Sequence, residues 1–232
     1  MDPQKIMYLI LLAPGMILAI SLHEAMHGYV ANRLGDPTAK FLGRLTLNPF
    51  KHIDPIGTIL VPAVLFMTSG MMFGWAKPVP VAVQNLKNPK RDMAIVAAGG
   101  PGANLILAII ASAALYLIAG VASRVPLADA VRQTVVVPLV MIFFYMLQFN
   151  LFLMMFNLLP IPPLDGGRIL VGLLPLTQAR VVEAIEPYGF WVLILLLMAD
   201  RYVHFLRTFM APVYWLQHYL VPSAILQQLI GG

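Results

Sequence analysis

His23, Glu24 and His27 stand together in the run HEAMH, an H-E-x-x-H pattern. On a helix, residues four apart lie about 40° apart around the axis and about 6 Å along it. Both imidazoles can therefore reach one ion. Glu24, about 100° around the helix from His23, can hold and deprotonate a water on that ion without ligating it. Hydrolysis at zinc is the chemistry such a grouping suits. The chain has only 5 His, so chance seldom assembles the pattern. Two histidines and a glutamate at the end of an apolar run are also costly unless they bind something. The bland alternative is a polar cluster that snorkels out to water.

A hydrolytic zinc site needs three protein ligands and one open position. His52, His204 and His218 are the remaining histidines, and the last two read as interfacial. The best carboxylate is Asp165, in NLLPIPPLDGGR from Asn157 to Arg168, which closes an uncharged run over residues 133–164. Prolines stop a helix there and glycines let the backbone turn. That presents one carboxylate from a break near a membrane face. Judged on the residues alone, a metal ligand and an N-cap of the following helix are equally good readings of Asp165.

The elements that carry these residues are membrane spans. Hydrophobic residues make up 60% of the 232 and charged residues 11%, where a soluble domain carries about 25% charged. The chain is read as one membrane-embedded domain over residues 1–232, with a core at about 6–172 and C-terminal helices at about 188–230. The fold class is all-α and polytopic, with about four to six transmembrane helices and a short re-entrant or β segment near the site. Residues 6–22, 93–123 and 133–164 are uncharged, and a helix needs about 20 apolar residues to cross the hydrocarbon. A fourth span is expected over about Tyr188 to Phe205. Residues 208–232 contain Pro212 and Pro222 and are expected to lie at the interface. Lys5 before an apolar run also suits a cleaved signal peptide, but an uncleaved first span fits better.

Two stretches are less regular. Phe41 to Leu47, FLGRLTL, alternates like a short strand with Arg44 and Thr46 on one face. Gly57 to Gly74 is apolar but broken by Pro62 and by Ser69-Gly70. If it crosses, the 15 Lys and Arg divide 7 to 8 between the two sides. If it re-enters, one face holds ten of the 15, as the positive-inside rule requires. A re-entrant segment with the N-terminus outside is therefore expected. Zero cysteines exclude disulfides and thiolate chemistry. No basic run is dense enough for nucleic acid.

HEAMH and NLLPIPPLDGG together resemble the site-2 protease family of intramembrane zinc metalloproteases. Gly99-Gly100-Pro101-Gly102-Ala103-Asn104 resembles that family's glycine-proline-asparagine segment. GRLTLNPFKHIDPIGT and FGWAKPVPV are similar to a compact prokaryotic branch without an inserted PDZ domain. The resemblance covers about residues 15–172. It implies one zinc ion held by His23, His27 and Asp165, with Glu24 as the catalytic glutamate. It also implies a multi-pass protein of the cell membrane, with its site toward the cytoplasmic face and transmembrane proteins as substrates.

Four further expectations concern the site's surroundings. Asn104, Asn157 and His52 are candidates for substrate binding or transition-state support. Asn104 and Asn157 serve equally well as ties between helices, and Asn150 is expected to be such a tie. His52 and Asp54 also read as a solvated loop pair. Trp75 to Val83, WAKPVPVAV, can be a surface loop or an extended segment against which a substrate strand pairs. A membrane metal transporter or metal-binding protein is the competing function, and an inactive protease-like scaffold the other.

Overall fold

The computed structural model describes residues 3–61, 64, 75–126 and 128–222. Seven helices of eight or more residues organise them: α1 Pro3–Leu34, α2 Pro89–Ala122, α3 Val137–Asn157, α4 Asp165–Leu173, α5 Leu176–Glu183, α6 Gly189–Val203 and α7 Ala211–Leu220. Four stretches are long and apolar enough to cross a membrane: Ile6–Leu34, Pro89–Ala122, Asp129–Asn157 and Leu176–Asp200. The polytopic all-α architecture expected from composition is thus present.

The core is a bundle of α1, α2 and α3. His23 and His27 of α1 meet Asn104 and Val96 of α2 in reversed order, so these two helices are antiparallel. Small residues let the backbones approach, as they do where lipid gives no hydrophobic drive to helix association. A Cβ at Gly15 would lie 2.8 Å from Met146 of α3, and one at Gly99 would lie 3.1 Å from Val30 of α1. Ala108, Ala111 and Leu115 of α2 and Leu147 and Leu151 of α3 fill the space between. The C-terminal end of α1, the N-terminal end of α2 and the C-terminal end of α3 share one end of the bundle, where Asp165 meets His23.

One expectation changes. Among the described residues there is no strand. Phe41–Leu47 does not run on as one, because Thr38–Phe41 is a helical turn that Gly43 ends in the left-handed region at φ +62. The Arg44 N–H then closes back on the Ala39 carbonyl at 2.9 Å. The span expected over about Tyr188 to Phe205 is present as α6, Gly189–Val203, which His204 ends at φ 54; the apolar stretch that contains most of it begins at Leu176. The C-terminal helix α7 packs against the bundle. Val213 of α7 is buried in the bundle core, and Ser112 and Tyr116 of α2 donate to the Leu220 and Tyr219 carbonyls at 2.6 and 3.2 Å. Those carbonyls end a helix and have no partner within it, so hydroxyls from α2 do what water does elsewhere.

The path of the expected re-entrant segment Gly57–Gly74 lies largely outside the described residues, but its two flanks are placed. The Trp75 N–H donates to the Gly57 carbonyl at 3.1 Å, and the Thr58 hydroxyl donates to the Trp75 carbonyl at 2.8 Å. The chain leaves and returns at one place.

Candidate metal centre

His23 and His27 lie on one face of α1, about 10 to 17 Å from its Leu34 end at 1.5 Å per residue. Asp165 is the first residue of α4 and makes no capping bond to it. Its carboxylate turns instead to α1, with Oδ2 3.1 Å from His23 Nε2 and Oδ1 3.4 Å from His27 Nε2. Asp165 thus faces the two imidazoles, in a group that could hold a metal ion. The three ligand atoms lie within 4.8 Å of one another.

Several features show that these residues fit a metal ion. Two imidazoles and one carboxylate form a donor set typical of catalytic zinc, which leaves a fourth position open. Donors about 2.0 Å from one ion in tetrahedral array are about 3.3 Å apart, close to the two separations here. Asp165 Oδ2 is buried and makes no hydrogen bond, although an imidazole nitrogen is near. The other nitrogen of each ring is engaged. His23 Nδ1 donates to Asn104 Oδ1 at 2.6 Å, and His27 Nδ1 donates to the Val96 carbonyl at 2.8 Å. With the proton on Nδ1, each Nε2 presents its lone pair to the shared centre.

Gly100 keeps that centre open. A Cβ there would stand 2.5 Å from His27 Nε2 and 2.6 Å from His23 Nε2. Position 100 is a functional position that motif reading attached no role to. Its signal was the glycine pair Gly99-Gly100 inside a helix, where glycine costs about 1 kcal/mol relative to alanine.

Glu24 stands beside this group and outside it. Its Oε2 accepts the Val79 N–H at 2.9 Å. Val79, the buried residue of the stretch 75–82, sits in a segment without regular secondary structure that several other segments tie down. Arg44 Nη2 donates to the Lys77 and Pro78 carbonyls at 2.8 and 3.2 Å. The Lys77 N–H donates to the His52 carbonyl at 2.9 Å, and the Ala82 N–H to Asp36 Oδ2 at 2.7 Å. Hydrogen bonds from Thr38, Asn85 and Ala82 outweigh the burial of Asp36 and lower its pKa. Trp75 to Val83 is therefore tied to the site through Val79, while Trp75, Lys77, Pro78, Pro80 and Val83 stay exposed. Arg44 and Asp36 were not anticipated as its anchors.

The remaining candidates divide. Asn104 is joined to the centre through His23, from behind the ring. Asn150, expected to be only a tie between helices, accepts a hydrogen bond from Asn104 at 2.9 Å. Asn157 spends its amide on the Leu153 carbonyl of its own helix at 3.0 Å, and no hydrogen bond joins it to the cluster. His52 is buried, not solvated. Its Nε2 donates to the Thr46 carbonyl at 2.8 Å, and it supports the 75–82 stretch without reaching the cluster. Asp54 caps the turn Pro55–Leu60 by accepting from the Ile56 and Gly57 amides.

The sequence matches peptidase family M50 over residues 11–199. This chain belongs to peptidase family M50. That is the family whose motifs HEAMH and NLLPIPPLDGG it resembles. "Putative zinc metalloprotease YwhC" of Bacillus subtilis is 42% identical over 182 residues, which cover 78% of this chain and 77% of that protein. "Putative zinc metalloprotease Rip2" of Mycolicibacterium smegmatis is 31% identical over 207 residues, covering 89% of this chain and 72% of that one. The Rip2 protein of Mycobacterium tuberculosis H37Rv is 27% identical, with 89% and 73% covered. No solved structure matches this chain. Within the M50 match lie most of α1, all of α2 to α5, most of α6, and His23, Glu24, His27 and Asp165.

Proposed function

We propose that this M50 member is an intramembrane zinc endopeptidase of the site-2 type, cutting peptide bonds within or beside transmembrane segments of other proteins. One observation carries the reading: three ligand atoms converge inside an apolar bundle, with one glutamate beside them that is not among them. The printed names of its relatives, zinc metalloproteases, agree with it.

In this reading His23, His27 and Asp165 hold one zinc ion per chain. Bound there, zinc supplies Lewis acidity, which makes water a nucleophile near neutral pH and polarises a carbonyl. Glu24 takes the proton of the attacking water and passes it to the leaving amine. Its Oε2 is held by the Val79 N–H, so Oε1 is the atom that moves the proton. The substrate must be unwound to expose a peptide bond, and the 75–82 stretch is the edge against which it would lie. Pro78 and Pro80 have no N–H, and that of Val79 is engaged. Pairing there rests on carbonyls of the stretch accepting from substrate amides.

The ten-of-fifteen share of Lys and Arg on the face with the site supports a cytoplasmic orientation in the cell membrane. Regulated intramembrane proteolysis is the process such an enzyme serves. The test is Glu24→Gln in the native host. The variant is expected to keep wild-type zinc content, lose cleavage, and accumulate uncut membrane fragments that identify the substrates. Cleavage at the wild-type rate would overturn the assignment.

A further inference from the structure

Behind His23 runs a line of amides that no part of the proposed reaction touches. His23 Nδ1 donates to Asn104 Oδ1 at 2.6 Å. Asn104 Nδ2 donates to Asn150 Oδ1 at 2.9 Å and to the Ala19 carbonyl at 3.3 Å. Asn150 Nδ2 donates in turn to the Met146 carbonyl at 2.8 Å. Both asparagines are fully buried, one on α2 and one on α3.

A carboxamide has two ends of nearly equal size and opposite hydrogen-bonding character. If Asn104 turned over, it would aim an N–H at His23 Nδ1. That nitrogen would have to accept, and the ring proton would sit on Nε2, the atom that faces Asp165. An imidazole protonated at Nε2 cannot ligate a metal through it. The two backbone carbonyls prevent this, because a carbonyl can only accept. The Met146 carbonyl takes a hydrogen from Asn150, so Asn150 Oδ1 must face Asn104. Asn150 Oδ1 and the Ala19 carbonyl take both hydrogens of Asn104, so Asn104 Oδ1 must face His23. The polarity runs in one direction, from backbone carbonyls to a ring nitrogen.

We propose that Asn150 is a positioning residue which, through Asn104, holds His23 with its proton on Nδ1 and Nε2 bare for the metal. This rests on the reading of His23 as a zinc ligand. Asn150 touches neither the ligands nor any reacting atom. A plain tie between helices would use the same hydrogen bonds, so the test must separate the two roles.

Zinc affinity of the full chain in detergent, read by competition with a chelator, makes that separation. Asn150→Leu has similar volume, and leucine is at home in a bundle core. It is expected to bind zinc about 10- to 100-fold more weakly, as outer partners of ligating histidines generally do when lost. With cobalt in place of zinc, its visible absorption is expected to change. Leu147→Ala opens a cavity in the same helix but leaves the amides alone. It is expected to lower Tm and leave zinc affinity and the cobalt spectrum unchanged. Asn150→Ser, whose hydroxyl can donate to the Met146 carbonyl and accept from Asn104, is expected to fall between wild type and Asn150→Leu. It carries the test if the leucine variant does not fold. Wild-type zinc affinity and cobalt spectrum in the Asn150 variants, whatever their Tm, would overturn the proposal. His23→Ala separates the two readings. If it loses zinc while Asn150→Leu binds normally, only the positioning role fails. If it binds zinc normally, the metal-site reading fails and takes the proposal with it.

Discussion

The backbone N–H of Val79 points at Oε2 of Glu24 from 2.9 Å. The glutamate beside the metal ligands is thus oriented by the main chain of a segment 55 residues away. Prolines on both sides of Val79 leave it the single N–H between Lys77 and Val81. The direction in which Glu24 faces depends on where that segment is held.

Arg44 holds it, with one guanidinium nitrogen shared by the Lys77 and Pro78 carbonyls. A hydrogen bond from a charged donor contributes about 1.5–3 kcal/mol, or about 10- to 100-fold in a rate that depends on it. Arg44→Ala is expected to cut turnover by about that factor while zinc content stays at the wild-type level. Arg44→Lys should restore little, since an ammonium does not reproduce the geometry of the guanidinium fork. Metal analysis beside a cleavage assay checks both statements.

Gly100 and Gly102 are two residues apart and predict opposite outcomes. A methyl at 100 would meet both Nε2 atoms, whereas one at 102 would meet nothing within 4 Å. Gly100→Ala should lose most of its zinc, seen by metal analysis of the purified protein. Gly102→Ala should keep it, and should gain up to about 1 kcal/mol in stability from helix propensity.

Asp36 makes the anchoring of the 75–82 stretch sensitive to acid. Its folded pKa lies below the ordinary carboxylate value because Thr38, Asn85 and Ala82 donate to the ionised form, more than offsetting burial. A carboxyl group with a depressed folded pKa stabilises the fold fully above its unfolded value, about 3.9. That contribution is lost as pH falls through the folded value. Hydrogen exchange at Ala82 should therefore be protected at neutral pH and lose protection below about pH 4. In Asp36→Asn the protection should be weaker at neutral pH and should lack this acid transition.

Ser112 closes the last turn of α7 from α2, donating to the Leu220 carbonyl at 2.6 Å. Interhelical hydrogen bonds inside membranes average about 0.6 kcal/mol. Ser112→Ala should lower thermal stability by about that amount and leave zinc content and cleavage rate unchanged. A large effect on cleavage would mean that α7 bears on the site.

The sequence alone was enough for the spans α1, α2 and α3, the pair His23 and His27, and Glu24 beside them. Those features are local. A span is a run without charge, and H-E-x-x-H shares a helix face whatever surrounds it. The proline- and glycine-marked break at Asp165 was equally visible, but ligand and cap remained equal readings. Only the approach of α4 to α1 turns Asp165 to the two imidazoles, because a side chain's partner is decided by a distant part of the chain. The same holds for Asn104 and Asn150. Amides in a membrane helix need partners, yet only packing shows that this line ends on His23, 81 residues from Asn104. Phe41–Leu47 misled through its alternation, since the left-handed turn at Gly43 ends the pattern. Residues 208–232 read as interfacial because Pro212, Pro222 and a pair of glutamines interrupt an uncharged run. Only tertiary structure shows that residues 211–220 pack on α2, which supplies the hydroxyls that their terminal carbonyls require. Local chemistry was legible wherever one element could satisfy it. It became ambiguous wherever a polar group had to be satisfied by another element.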